Sequence, residues 1–378
     1  MKIVVTGLRG FPRIQGGVET HCEELCPRLV KLGCDMTVTR RKPFVREASP
    51  LTVYEGVKFK DLNTPKRQGL EAAVHTFRSV WYAFRTKADI IHFQAIGPSI
   101  AIPFAKLLGL KVVATHHGPD YDRRKWGRLA KFVLRFGEFC VARWADEVIV
   151  ISTVIQNLLK TKYHRENTHL IYNGVNPPST PINETDYIRQ LGLKPRKYLL
   201  AVGRFVEEKN FDKLILAYAK TTYASDYRLV IAGDADHENH YSKSLKAIAK
   251  KHHVILTGMI KGNPLQQLYA HAALFVLPSS HEGLPFTLLE AMSYQIPVLV
   301  SDIPANKAVN LPSDCYFHYS KNGILALSEA IEKKLENPVS HTYDLTSYNW
   351  EHIAWQTYNV YLKCYRNTRS HTRRRPIS

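Results

Sequence analysis

Short apolar runs alternate with helix-length segments along this chain, stop at a polar, proline-containing stretch, and then alternate again. Lys2 to Thr6, Asp35 to Thr39, Ile90 to Phe93, Lys111 to Thr115, Glu147 to Ile151 and His169 to Tyr172 read as buried strands. Helical segments fill the gaps, among them Val18 to Leu32, ended by Gly33, and Leu70 to Phe84. Such strands cannot be joined by tight turns when a helix intervenes, so they must lie parallel, with helices covering both faces of a doubly wound α/β sheet. After Asn173-Gly174 comes a linker, Asn176 to Glu184. The alternation restarts at Tyr198 to Val202 and continues through Arg228 to Ala232, Val254 to Leu256, Leu274 to Leu277 and Val298 to Val300. A length of 378 residues suits two such domains. The reading is therefore residues 1–175 and 185–349 as two domains, a helix over about 350–366, and a basic tail, 367–378.

In a parallel sheet, ligands meet the loops that follow the strands. One such loop is His281-Glu282-Gly283-Leu284-Pro285-Phe286-Thr287-Leu288-Leu289-Glu290. It follows the apolar run Ala272 to Leu277 and enters a helix, Thr287 to Ser293, that stops before Ile296-Pro297. Free backbone N–H groups and the positive end of a helix dipole favour a phosphate there. Glu282 and Glu290, on the loop and in the helix, are then placed for sugar hydroxyls. A second loop, Gly203-Arg204-Phe205-Val206-Glu207-Glu208-Lys209-Asn210, carries two cations after a strand. An arginine forks two phosphate oxygens and a lysine adds a point charge, which suits a phosphate group.

Glu282-x7-Glu290 and the Gly203 to Asn210 segment resemble the E-x7-E and G-R-x4-K-N motifs of the retaining glycosyltransferases of family 4. Ile171-Tyr172-Asn173-Gly174-Val175 and Gly16-Gly17-Val18-Glu19 are similar to two further segments of that family, in the same order. The resemblance spans nearly the whole chain. It implies the GT-B fold: two facing Rossmann-like domains, a donor cleft between them, and a C-terminal helix crossing back to the first. It implies that Glu290 holds the ribose hydroxyls and Glu282 the donor sugar. Arg204 and Lys209 then neutralise the leaving phosphate, with Gly203, Asn210, Gly233, Gly283, Leu284, Phe286 and Thr287 lining the donor site. His117, in Thr115-His116-His117-Gly118, is implied to contact the donor sugar near the reaction centre. Gly118 to Trp126 and the opening Gly7-Leu8-Arg9-Gly10-Phe11-Pro12 resemble a sub-group described as rhamnosyltransferases. That carries over Arg9 and Asp120, with Gly16 and Gly17, to the acceptor side.

Two positions depart from the family pattern. Where a second glycine usually follows Gly233, this chain has Ala235. Asp234-Ala235-Asp236 also mimics a D-x-D metal motif. It reads as a polar loop, since two cations already supply the phosphate charge, and neither metal nor cofactor is expected. Gly16-Gly17 does not form the G-x-G-x-x-G fingerprint, which argues against a nicotinamide enzyme.

Charge is uneven. Residues 1–180 carry an excess of 13 positive charges, residues 181–362 balance, and the last sixteen residues hold six basic groups and no acid. Nothing resembles a nucleic-acid-binding motif. Arg123 to Phe136 mixes basic, aromatic and aliphatic residues at helical spacing, the composition of a helix on a membrane surface. No run of about 18 uncharged apolar residues exists to span a bilayer. The chain enters a strand directly from Met1, so no signal peptide is expected, and six scattered cysteines point to reduced thiols. The expected location is cytoplasmic, peripheral on the inner face of the plasma membrane.

The function expected is retaining transfer of a sugar from a nucleotide-diphosphate-sugar, dTDP-rhamnose or a UDP-hexose first, to a saccharide acceptor, lipid-linked, in cell-surface polysaccharide synthesis. No carboxylate pair is evident for double displacement, which favours front-face attack. Two other readings remain. A nucleotide-sugar 2-epimerase of the same fold would consume donor alone. A non-catalytic nucleotide-sugar or nucleic-acid binding module would use the basic surface.

Overall fold

The computed structural model describes residues 1–12, 14, 16–45, 51–65, 70–122, 127–235, 238–318, 323–339 and 341–366. The basic tail 367–378, residues 123–126 of the basic segment, and Asp236 lie outside the described residues. The chain divides into two compact units, Met1–Gly174 with Tyr348–Ser378, and Val175–Ser347.

The first unit holds an eight-stranded sheet of β1 (Lys2–Thr6), β2 (Asp35–Arg41), β3 (Val53–Tyr54), β4 (Val57–Leu62), β5 (Ile90–Gln94), β6 (Val112–His116), β7 (Glu147–Val150) and β8 (His169–Leu170). Their order is β3-β4-β2-β1-β5-β6-β7-β8, parallel except for β3. The hairpin β3–β4 escapes a reading by strand–helix alternation because it is short and exposed. Its turn, Glu55-Gly56, has φ of 45° and 81°, the paired positive φ of a tight hairpin turn, but lacks the usual asparagine or aspartate at its first position. The central strands β1, β5 and β6 are almost wholly buried, which is why they read as unbroken apolar runs.

Helices α1 (Gly17–Lys31), α2 (Leu70–Arg85), α3 (Ile102–Leu107), α4 (Arg128–Trp144) and α5 (Thr153–Tyr163) cover this sheet. The C-terminal helix, Trp350–Arg366, packs on α1 and on β5 and β6. Two contacts fix it there. Trp350 lies where a Cβ at Gly174 would stand, and Arg28 pairs with Glu351 at 3.0 Å.

The second unit has a six-stranded parallel sheet: β9 (Tyr198–Val202), β10 (Arg228–Ala232), β11 (Ile255–Leu256), β12 (Leu274–Leu277), β13 (Val298–Ser301) and β14 (Tyr316–Phe317), ordered β11-β10-β9-β12-β13-β14. Order reverses between β9 and β12, so the loops after β9, β10 and β12 sit together at the switch point of the sheet. Phe205, Phe211, Leu214 and Ile215 bury the helix after β9 against Leu199, Ala201 and Leu229 of the sheet. Each unit is a Rossmann-like α/β domain.

Candidate active site

The second-unit residues singled out by sequence occupy three adjacent loops at the C-terminal edge of the sheet. Gly203, Arg204, Lys209 and Asn210 follow β9, Gly233 follows β10, and Glu282, Gly283 and Leu284 follow β12. Phe286, Thr287 and Glu290 belong to the helix Phe286–Ser293. Lys209 Nζ donates to Glu282 Oε1 at 2.6 Å, with both side chains mostly buried. The two loops are sewn together by backbone as well. Ser280 N–H donates to the Glu208 carbonyl at 2.8 Å, and Asn210 Nδ2 donates to the Pro278 carbonyl at 2.9 Å. Asn210 has a φ of 50°, a left-handed conformation that asparagine tolerates, and it turns the chain into the helix Phe211–Tyr218.

Gly233 joins the loops after β9 and β10. Its φ is 143°, and a Cβ there would overlap the carbonyl oxygen of Gly203. Only a glycine allows that approach. Phe205 N–H donates to the Asp234 carbonyl at 3.0 Å, closing the same junction. Ala235, the departure from the family pattern, packs its methyl on the hydrophobic core and needs no positive φ. Asp234 Oδ1 accepts from its neighbour's N–H and pairs with Lys246 at 3.2 Å.

Glu290 has a different partner from Glu282. Its Oε2 accepts from the Tyr269 hydroxyl at 2.7 Å. Burial pushes the Glu290 carboxyl up from its ordinary value, and the tyrosine hydrogen bond only partly opposes this. Tyr269 was not found from sequence. It sits in the helix Asn263–His271, ahead of β12, and stacks on Tyr294 at 5.4 Å, so only the folded sheet brings it under Glu290.

In the first unit, Arg9, Gly16 and Gly17 follow β1, while His117 and Asp120 follow β6. Arg9 and Glu19 are held together: Glu19 Oε1 accepts from both the backbone N–H and Nε of Arg9, each at 3.1 Å. Gly16 leaves the space that the Glu19 carboxylate fills. His117 donates from Nε2 to Gln94 Oε1 at 2.7 Å, which leaves Nδ1 as the acceptor. Gln94 was also missed. Its signal in the sequence is a polar residue ending the buried run Ile90–Gln94. The His117 ring stands edge-on to His21 at 5.0 Å, and His21 Nδ1 donates to Asn173 Oδ1 at 3.0 Å. His92 bridges the Tyr361 hydroxyl and Thr115 Oγ1, both at 2.7 Å. Burial lowers His21 to about 4 and His92 to about 3, and it holds His117 well below the ordinary range, with the neighbouring histidines adding to the effect. All three are neutral near pH 7.

His116, adjacent to His117, points the other way. Its Nε2 lies 3.0 Å from Glu138 Oε1, on the inner side of α4. Glu138 also accepts from the Tyr121 hydroxyl, from Lys162 Nζ at 2.7 Å and from the Tyr163 hydroxyl at 2.8 Å. Burial alone would raise its carboxyl, but the hydrogen bonds from His116, Lys162 and Tyr163 hold it down at about 2. This buried carboxylate anchors the loop that carries His117 and Asp120.

Among the described residues, Asp314, Cys315 and His341 are the grouping close enough to share a metal ion. Lys334 Nζ already donates to Asp314 Oδ2 at 2.6 Å, so an ammonium balances the charge there. All six cysteines are buried and free. No helix among the described residues is long and apolar enough to cross a membrane.

Two successive Rossmann-like units with this arrangement are the GT-B fold. Solved structures of that architecture superpose on most of the chain. Sucrose-phosphate synthase from Thermosynechococcus elongatus gives a TM-score of 0.78 at 19% identity, covering 96% of this chain and 98% of its own. Anabaena HepE in complex with UDP-glucose gives 0.74 at 19% identity, covering 98% and 100%. The family model "Glycosyltransferase Family 4" matches residues 15–178, and "Glycosyl transferases group 1" matches residues 183–350. The chain is a glycosyltransferase of the GT-B fold, with one of these family domains in each half. An uncharacterized glycosyltransferase of Methanocaldococcus jannaschii is 24% identical over 96% of this chain and 98% of its own length. The α-maltose-1-phosphate synthase of Mycolicibacterium smegmatis is 24% identical over 93% and 96%. The O-antigen chain mannosyltransferase RfbU of Salmonella typhimurium is 26% identical over 75% and 74%.

Proposed function

We propose that this chain transfers a sugar, with retention of configuration and without a metal or cofactor, from a nucleotide-diphosphate-sugar to a lipid-linked saccharide in cell-surface polysaccharide synthesis. The observation that carries the reading is the Lys209–Glu282 pair, which joins the loops after β9 and β12 at the switch point of the second sheet, the segments that also carry Arg204 and lead to Glu290. Arg204 and Lys209 neutralise charge on the departing phosphate, and the N–H groups of Leu284, Phe286 and Thr287 add to this. Glu290 accepts from the ribose hydroxyls, which relieves the cost of its burial. Glu282 exchanges part of its bond with Lys209 for hydroxyls of the donor sugar.

From the first unit, His117 is assigned to the donor sugar near the reaction centre, as a neutral imidazole whose tautomer Gln94 fixes. Arg9, Gly16, Gly17 and Asp120 are assigned to the acceptor side. The acceptor hydroxyl attacks on the face from which the nucleotide departs. A leaving-phosphate oxygen takes its proton, so no side-chain nucleophile is required. The donors considered first are dTDP-rhamnose and UDP-hexoses. The second is supported by HepE, which was solved with UDP-glucose. A saccharide acceptor in cell-surface polysaccharide synthesis is supported by RfbU, named for O-antigen chains, and its lipid linkage by the basic balance of residues 1–180.

A thermal-shift screen against UDP, GDP, dTDP, ADP and their sugar conjugates tests the donor site. A ligand at 100 times its dissociation constant adds about 2.7 kcal/mol to stability. One nucleotide standing out, with its shift lost in Glu290→Ala and Arg204→Ala, supports the assignment. Folded protein that responds to none of them overturns it.

A further inference from the structure

We infer, on the glycosyl-transfer reading of this site, that His21 is a second sugar-binding histidine, which accepts a hydrogen bond from a hydroxyl of the transferred sugar beside His117. His21 lies one turn into α1, just behind the Gly16-Gly17 loop. Three contacts within the first unit fix its ring. Nδ1 donates to Asn173 Oδ1 at 3.0 Å, and the ring meets the His117 ring edge-on at 5.0 Å and the Trp350 ring edge-on at 5.7 Å. Trp350 is itself wedged against Gly174, the residue after Asn173. A ring held by packing and a hydrogen bond presents its remaining nitrogen in one orientation, as a binding residue requires.

The pairing with His117 gives that nitrogen its use. Each ring spends one nitrogen on a side-chain amide oxygen: His21 Nδ1 on Asn173, and His117 Nε2 on Gln94. Among the described residues, His21 Nε2 and His117 Nδ1 have no hydrogen bond from the protein, and neither atom is fully enclosed. His75 is the contrast, since both its nitrogens are unpartnered and fully enclosed, out of reach of a ligand. Burial keeps His21 and His117 neutral near pH 7, so each open nitrogen carries a lone pair and no proton. A buried acceptor left without a donor is costly, so two of them side by side require donors. The protein hydroxyls nearest this edge are already engaged: those of Thr115 and Tyr361 both bond to His92. Carboxylate and phosphate oxygens have no proton to give, whereas a sugar hydroxyl donates. His21 is only 3% exposed, so what reaches Nε2 is a single small group such as a hydroxyl.

The test compares His21→Phe with the parent chain, using the nucleotide-sugar that stands out in the thermal-shift screen, with UDP-glucose and dTDP-rhamnose tried first. Phenylalanine keeps a ring for the edge contacts but removes both nitrogens. Calorimetry should show affinity for the nucleotide-sugar reduced by roughly ten-fold or more, with affinity for the bare nucleoside diphosphate unchanged within about two-fold. The loss should vanish for one monodeoxy analogue of the sugar, the one that lacks the hydroxyl His21 accepts. Equal losses for the nucleotide-sugar and the nucleoside diphosphate, or a loss that is the same for every monodeoxy analogue, would reduce His21 to packing and overturn the inference. Should phenylalanine prevent folding, nitrogen NMR of the parent with isotopically labelled histidine decides. The His21 Nε2 signal should move upfield with the nucleotide-sugar and stay in place with the nucleoside diphosphate, and a signal that both leave unmoved overturns the inference. A folded chain that binds no nucleotide or nucleotide-sugar removes the proposed function and this inference together. A chain that binds and transfers the sugar with no hydroxyl-dependent loss in His21→Phe keeps the proposed function and removes this inference alone.

Discussion

Lys209 Nζ lies 2.6 Å from Glu282 Oε1, a contact that joins two loops 73 positions apart in the chain. Both side chains are largely shielded, so each charge depends on the other. Removing one partner of such a pair costs more than the pair itself contributes, because it strands the remaining charge. Lys209→Ala and Glu282→Gln are each expected to destabilise the protein by about 1–3 kcal/mol, and the double variant by less than their sum. Urea unfolding of the four proteins gives the coupling directly. Strict additivity would show that the contact carries no energy. Lys209→Ala should also slow transfer by about 100-fold or more if it meets the leaving phosphate.

Glu290 and Tyr269 predict a trade between stability and binding. Burial raises the Glu290 carboxyl, so its ionised form is a cost to the unliganded fold near neutral pH, and that cost disappears below its ordinary value of 4.5. Glu290→Gln keeps an acceptor for the Tyr269 hydroxyl while removing the charge. The variant should melt at the same temperature as the parent, or higher, and lose at least ten-fold in nucleotide affinity by calorimetry. A lower melting temperature with unchanged affinity would separate Glu290 from the nucleotide.

The strands were legible because buried parallel strands must be apolar throughout. Tyr198–Val202, Arg228–Ala232 and Leu274–Leu277 match their apolar runs end to end. The site loops were legible because glycine and charged residues interrupt those runs at fixed places. Partners from elsewhere in the chain were not. Tyr269 reaches Glu290 from an earlier helix, Gln94 reaches His117 from a neighbouring strand, and Glu138 reaches His116 from inside an amphipathic helix. Each is an ordinary residue in its own segment and gains its role only from tertiary placement.

The histidines make the first unit sensitive to mild acid. His21 is lowered to about 4 and His92 and His75 to about 3, chiefly by burial, from an ordinary value of 6.5. Below pH 6.5 the unfolded chain takes up protons that the folded chain refuses, so stability is full above 6.5 and falls as the pH drops toward 4. Each such histidine contributes a slope of up to about 1.4 kcal/mol per pH unit. Glu138, held at about 2, adds a loss in the same direction between its ordinary value of 4.5 and 2. Denaturant unfolding from pH 7.5 to 4.5 should show the decline, and His92→Gln should flatten it. An unchanged slope in that variant would remove His92 from the account.

Glu138 should behave as a positioning residue. Glu138→Gln removes the charge that meets Lys162 and His116 and leaves a fully buried amide among donors. A loss of about 3 kcal/mol is expected from breaking a buried charged network. At a temperature where the variant is fully folded, kcat should fall more than nucleotide affinity, since Glu138 holds the loop bearing His117 and touches none of the second-unit loops assigned to the nucleotide. Equal losses in both would mean that the damage is general.

Gly233 offers the most local test of the donor edge. Its φ of 143° is one that L side chains rarely adopt, and its Cα lies against the Gly203 carbonyl with no room for a methyl group. The Gly203 N–H donates to the Ala232 carbonyl and the Gly233 N–H to the Gly258 carbonyl, each at 2.9 Å, so neither backbone can move aside without breaking a bond. Gly233→Ala should therefore cost about 3 kcal/mol through strain and overlap. It should also displace Gly203 and the loop behind it, which carries Arg204 and Lys209. Nucleotide affinity is expected to fall at least ten-fold in the folded fraction. Ala235→Gly, which restores the family glycine two positions on, should leave affinity within two-fold, because Ala235 already sits without strain on the core. If Gly233→Ala instead bound nucleotide normally, the approach of these two backbones would be a packing feature with no bearing on the donor.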